Sequence, residues 1–195
     1  MNTWPSVSLR EIFDIARGGS PRPIDQFITD EPDGINWIMI GDAEEGSKYI
    51  SKTKKRIKPS GISRSRMVYP GDFLLTNSMS FGRPYILKTS GCIHDGWLVL
   101  SPKSEAVDPD YFYYLLGSDT IYAEFSRLAA GATVKNLNIE LVSGVKIKLP
   151  PISEQRRIVA VLDQVLLLQE KHQSALANVG ELLNALRDRA FRGER

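Results

Sequence analysis

Residues 152–195 contain no proline, and Gly180 is the one glycine inside the run before Gly193. A stretch of that length without a breaker, carrying apolar residues at helical spacing, has few ways to fold. From Ile158 a heptad can be written with Ile158, Val165, His172, Val179 and Leu186 at a, and Val161, Leu168, Ala175, Leu182 and Arg189 at d. Eight of these ten are apolar, and Leu162, Leu176, Leu183 and Ala190 at e widen the stripe. Five heptads make a helix roughly 50 Å long. Ser153 is placed to cap it, and Glu154 to meet its positive end. A lone helix with such a stripe has to pack on something, and the part of the chain before it covers only some of its length. The expected interface is Ile158, Val161, Leu162, Val165, Leu168, His172, Val179, Leu182 and Leu186, with His172 as the polar residue that fixes register. An identical helix in a two-fold pair is the simplest partner.

Before Pro150-Pro151 the pattern is different: short apolar runs broken by glycine and proline. Trp37–Ile40 reads as a buried strand ending at Gly41, and Asp72–Thr76 as another entered through a Pro70-Gly71 turn. Pro84–Lys88 and Trp97–Leu100 are two more, and Val145–Leu149 alternates as a half-exposed strand does. Residues 109–117 and 119–129 read as helices, with Pro109 suited to a first turn. The irregular order of short strands and helices argues for α+β rather than repeated βαβ units. The expected architecture is a globular domain over 1–150 with a twisted mixed β-sheet, followed by a long coiled-coil-type helix over 151–195.

The net charge of +2 conceals an uneven distribution. Residues 1–45 carry three basic and nine acidic side chains, whereas residues 46–66 carry eight basic ones and no acid. Clustered charge of this kind suits a phosphate-binding surface, and also a solvated run. The single cysteine, Cys92, excludes an intramolecular disulfide and fits a reducing compartment. The start lacks the basic and apolar segments of a secretory signal, and no run approaches the roughly 18 apolar residues of a membrane span, so a cytoplasmic location is expected.

Several chemistries find no support. There is no Gly-x-Gly, so neither a dinucleotide fingerprint nor a P-loop is present. His94, His172 and Cys92 do not make a zinc site of ordinary ligand count, and no metal site is expected. Cys92 with His94 is a conceivable nucleophile pair, but a buried thiol beside a loop histidine is the simpler account. The acidic residue–x–Lys signature of metal-dependent nucleases and the Asn/Asp-Pro-Pro-Tyr/Phe signature of aminomethyltransferases are both absent. Binding without catalysis is the expectation, and no catalytic residue is assigned.

Three segments suit DNA. The basic one supplies Lys48, Lys52, Lys54, Lys55, Arg56, Lys58, Arg64 and Arg66, interleaved with Ser and Thr that also bond phosphate. The stretch Thr76–Arg83 follows a strand and offers Asn77, Ser78, Ser80 and Arg83 to base edges; Asn suits adenine and Arg suits guanine. It equally suits a polar turn. Arg17-Gly18-Gly19-Ser20-Pro21-Arg22 is a third basic loop, whose glycines allow a close backbone approach to a ligand or a bare turn.

Taken in order, Trp4-Pro5, Gly18-Gly19-Ser20-Pro21, Trp37–Asp42, Pro70–Leu75, Gly131-Ala132-Thr133 and above all Leu149-Pro150-Pro151-Ile152-Ser153-Glu154-Gln155-Arg156-Arg157-Ile158-Val159 resemble the specificity subunit of type I restriction-modification enzymes. The resemblance covers nearly the whole chain. It implies a target recognition domain followed by a long conserved helix. Family members carry two such units, whose helices pack antiparallel and hold the readers apart on a split DNA site. Two methyltransferase subunits dock on that frame, and restriction subunits with motor and nuclease activity can join. S-adenosylmethionine, ATP and Mg belong to those partners, so no cofactor is expected on this chain. With one unit, the chain is a half-subunit, natural or truncated, and a homodimer is expected. Two rival readings stay open: a coiled-coil interaction protein that does not bind DNA, and a standalone nuclease.

Overall fold

The computed structural model describes residues 4–44, 46–77, 82–130 and 136–193. In chain order the elements begin with β1 (Ser6–Ser8), α1 (Leu9–Ile12), β2 (Phe13–Arg17), β3 (Ile28–Thr29), β4 (Ile35–Ile38), β5 (Tyr49–Ile50), β6 (Lys55–Ile57) and β7 (Arg66–Val68). They continue with β8 (Phe73–Thr76), β9 (Pro84–Leu87), β10 (Gly91–Ile93), β11 (Trp97–Pro102), α2 (Pro109–Leu116), α3 (Asp119–Ala130), α4 (Ile139–Gly144), β12 (Lys146–Lys148) and α5 (Ile152–Phe191). The fold is α+β, as expected, with two five-stranded mixed sheets where one sheet was expected. One sheet runs β3-β6-β4-β10-β7 and the other β2-β11-β8-β9-β5. Parallel pairs β10–β4 and β5–β9 make both mixed. A ribbon of β1 and β12 lies beside them.

The layers follow from side-chain alternation. Phe73 and Leu75 on β8 face α1–α4, joining Phe13, Leu98, Leu100, Phe112 and Phe125 in the largest core cluster. Leu74 between them points the other way, meeting Ile38, Val68, Ile93 and Trp97 between the two sheets. A strand covered on both faces reads as an unbroken apolar run, which explains Phe73-Leu74-Leu75 and Trp97–Leu100. The outer face of the first sheet buries Trp37, Ile57 and Cys92 under Ile24, Phe27 and Ile28. Cys92 is a packed thiol whose ionisation burial pushes up.

The long helix begins at Ile152, with Pro151 as its extended N-cap (φ −56°, ψ 152°). Ser153 therefore lies inside the first turn and does not cap it. The Pro151 carbonyl accepts from Glu154 N–H and Gln155 N–H, starting the helical ladder two residues early. Gln155 is fully buried. Its amide donates to the carbonyls of Ala106 and Pro150, both at 2.9 Å, and its oxygen accepts from Asp108 N–H at 2.9 Å. Asp108 caps α2 through Asp110 N–H and Tyr111 N–H and also faces Arg156 at 3.5 Å. Tyr114 donates its hydroxyl proton to Asp163. These bonds and the buried Val159 fix the root of α5 on α2. Beyond Asp163 every residue of α5 is exposed.

Two members of the expected interface belong to that root. Ile158 packs on the helical core cluster, and Leu162 is half-buried. Val161, Val165, Leu168, Val179, Leu182 and Leu186 are each at least half exposed, as are Leu176 and Leu183, and His172 is exposed among them.

Candidate nucleic-acid interface

The turn His94-Asp95-Gly96 joins β10 to β11 and gathers three distant parts of the chain. Gly18 N–H donates to Trp97 O at 2.9 Å and Gly19 N–H to Ile93 O at 3.1 Å, which lays the 17–22 loop along the turn. A Cβ on Gly18 would stand 2.1 Å from His94 O, so only glycine fits there. Ser65 Oγ also donates to Ile93 O, at 2.9 Å, and Arg66 on β7 sits opposite Ile93 in the antiparallel register. Arg17 Nε and Asn77 Nδ2 both donate to Asp95 O, at 3.0 and 2.8 Å. The turn thus brings together Arg17, Arg22, Arg64, Arg66 and Asn77, and the close approach made by Gly18 and Gly19 is to the protein's own backbone.

Asn77 does not present its amide to a base in this arrangement. It is 2% exposed and anchors the stretch after β8 through Asp95 O, with its own carbonyl accepting from Leu137 N–H. It ties the end of β8 to the 94–96 turn, with its amide turned inward. Ser78 and Ser80 lie outside the described residues. Arg83 faces elsewhere: with Tyr113, Tyr114, Leu166 and Glu170 it lines a groove between β9, α2 and α5.

The basic segment also divides. Lys48 departs from the rest: its ammonium lies 2.6 Å from Asp110 and over the rings of Tyr113 and Tyr114, at the foot of α5. Lys54 donates to Gly41 O at 2.9 Å, Arg56 to Asp30 O at 3.0 Å and Lys58 to Gln26 O at 2.8 Å. Arg64 donates to Arg22 O at 3.4 Å and stacks over Phe27. A backbone carbonyl orients a cation without cancelling its charge, so these side chains are ordered and still positive. Lys52 is exposed on the approach to β6. Lys55, Arg22 and Asp25 line a cleft of about 400 Å³ together with Ile24, Ile28, Trp37, Met39 and His94.

His94 and Asp95 set the local electrostatics. Ile40 N lies 3.1 Å from His94 Nε2 and Gly96 N 2.7 Å from Nδ1; a neutral imidazole accepts at one nitrogen only, so the ring takes one of the two N–H groups as a hydrogen-bond donor. Burial is the main cause holding its pKa below the ordinary value, with Asp95 pulling the other way. Asp95 accepts from Ser20 Oγ at 2.8 Å, and that bond is the largest cause of its lowered pKa. Arg22 lies 3.6 Å from its other oxygen. Sequence reading missed Asp95 and Ser20 as site residues. The one signal was a His-Asp-Gly turn between two apolar runs, which says nothing of the arginines that come to it.

Among the described residues no cluster of His, Cys, Asp and Glu suited to a metal ion is present. No described helix is long and apolar enough to cross a membrane.

A two-sheet α+β domain is joined to a 40-residue helix whose distal part exposes an apolar stripe. The chain belongs to the family described as the type I restriction modification DNA specificity domain, whose model matches residues 1–178. It is 25% identical over 201 residues to the type I restriction enzyme EcoBI specificity subunit of Escherichia coli, covering 98% of this chain and 42% of that protein. It is 26% identical over 178 residues to the putative MjaX specificity subunit of Methanocaldococcus jannaschii, covering 89% of this chain and 40% of that one. Its structure resembles the HsdS subunit from Thermoanaerobacter tengcongensis with a TM-score of 0.73 at 26% identity, over 100% of this chain and 46% of that one. A chain from a structure on complex assembly and conformational transition of the type I R-M system gives 0.74 at 28%, over 100% of this chain and 47% of that one. The chain thus spans less than half the length of the relatives it matches.

Proposed function

We propose that the chain reads DNA as one recognition unit of a type I restriction-modification system, without catalysis of its own. The observation that carries this reading is the cationic face around the 94–96 turn, where Arg17, Arg22, Lys55, Arg64 and Arg66 converge from segments far apart in sequence. Lys52, Lys54, Arg56 and Lys58 extend that face along β6 as phosphate contacts. The exposed stripe of α5 pairs antiparallel with a second copy, giving a homodimer with two readers at its ends, and presents the frame on which methyltransferase subunits dock. Restriction subunits join the same assembly. S-adenosylmethionine, ATP and Mg are used by those partners. The setting is the cytoplasm, where the host DNA is.

The test is binding of the purified chain to duplex DNA across a salt series. Affinity falling with a log–log slope of several units, at roughly 0.9 per phosphate contact, supports the reading. Salt-independent or undetectable binding supports the rival reading as a coiled-coil interaction protein. Cleavage of DNA by the chain with Mg²⁺ alone would contradict the absence of catalysis.

A further inference from the structure

Asp95 is an acid at the centre of a face built from arginines, and a bare carboxylate there repels the phosphates that the arginines attract. A purely architectural role does not require it. The hub function of this residue is carried by its backbone: Arg17 Nε and Asn77 Nδ2 donate to the Asp95 carbonyl oxygen, not to the carboxylate. The side chain itself accepts one close hydrogen bond, from Ser20 Oγ at 2.8 Å, with Arg22 looser at 3.6 Å and His94 Nδ1 at 3.6 Å. An ionised carboxylate offers about four acceptor positions, so most of this one remains open. It is 46% exposed and its neighbour Arg22 is 73% exposed. An exposed acceptor and an exposed donor stand side by side on the face proposed to read DNA.

We propose that Asp95 is a specificity-determining residue, whose carboxylate accepts a hydrogen bond from the exocyclic amino group of a base in the major groove. Cytosine N4 and adenine N6 are the two amino donors that the groove presents, and acidic side chains accept from the former. Arg22 beside it favours cytosine, because the partnered guanine presents O6 and N7 to a guanidinium. Ser20 is the positioning residue that holds the carboxylate turned outward. The inference rests on the proposed DNA-reading role and deepens it by assigning one residue to one base pair.

The experiment selects bound sequences from a randomised duplex library with the full chain, as wild type, Asp95→Ala and Asp95→Asn. Asp95→Asn keeps an acceptor for Ser20 and serves if Asp95→Ala melts early by circular dichroism. The expected result is a position at which the wild type prefers cytosine or adenine by roughly tenfold or more, at which Asp95→Ala loses that preference and Asp95→Asn turns a cytosine preference toward adenine, the base an amide pairs with. Affinity for random duplex and its salt slope should not fall, because a negative charge has been removed. Cytosine at that position fits the pairing with Arg22; adenine fits the amino-group contact alone. If both variants enrich the wild-type sequence, or if they lose affinity equally for all sequences, the assignment is overturned while DNA reading stands. If the position that relaxes is guanine or thymine, the assignment is also overturned. If the wild type binds no duplex in a salt-dependent way, the DNA-reading role fails first and this inference with it.

Discussion

At the residue scale, burial decides which polar side chains work inward and which face out. Gln155 works inward: fully buried, it joins Pro150, Ala106 and Asp108 across the root of α5. Gln155→Leu removes its bonds and strands buried backbone groups, so stability measured by denaturant unfolding should fall by about 3 kcal/mol; a loss under about 0.5 kcal/mol would show that the root is held by packing alone. The outward side chains are tested through salt. Replacing Lys55, Arg64 and Arg66 together by Ala should lower the salt slope of DNA binding by up to about three units, roughly 0.9 for each lost phosphate contact. Lys48→Ala, which loses the partner of Asp110, should leave the slope unchanged. His94 adds a pH effect. Its folded-state pKa is lowered, chiefly by burial, so the folded state takes up its proton later than the unfolded chain does. Stability should therefore be full above its ordinary pKa near 6.5 and be lost as pH falls from there toward the depressed folded value. Thermal melts of wild type and His94→Gln across that range should converge at low pH if this sign is right.

At the scale of elements, what could be read from sequence was what carries a strong apolar pattern. Phe73–Thr76, Trp97–Pro102, Pro109–Leu116 and α5 all stand close to where the pattern puts them. The strand expected over Trp37–Ile40 begins at Ile35 and stops at Ile38, because Met39 N–H donates to Asp42 and the chain turns into a 3₁₀ segment at Ile40–Asp42. Strand β6 was hidden because Lys55-Arg56-Ile57 is charged, yet it pairs with both β3 and β4 and buries only Ile57. That pairing is why a basic run that looks continuous in sequence is spread over several surroundings. The convergence on the 94–96 turn was not legible at all, since it depends on long-range backbone bonds from Gly18, Gly19 and Asn77. For α5 the prediction concerns its free length. Val165→Glu with Leu182→Glu puts charge into an exposed apolar stripe and should reduce the mass seen by light scattering from dimer to monomer. The melting of the recognition domain should not change, because both positions lie beyond the helix root. A wild-type chain that is monomeric at tens of micromolar would remove the homodimer, unless a methyltransferase subunit is required for pairing.

On the scale of the whole molecule, the two-fold axis of the proposed α5-paired homodimer would constrain the DNA as well as the protein. Two identical readers related by such an axis meet inverted half-sites, and the helix length between them leaves an unread spacer. With 40 residues at about 1.5 Å each, α5 is roughly 60 Å long, enough to keep the two cationic faces of the proposed dimer well apart. The central claim, that this chain chooses the DNA sequence on which a type I system acts, is tested most directly by mapping methylated bases in its own genome with the gene intact and deleted. The account predicts that one interrupted, inverted-repeat motif is methylated in the intact genome and loses its methylation on deletion. A methylation pattern that is the same with and without the gene would contradict it.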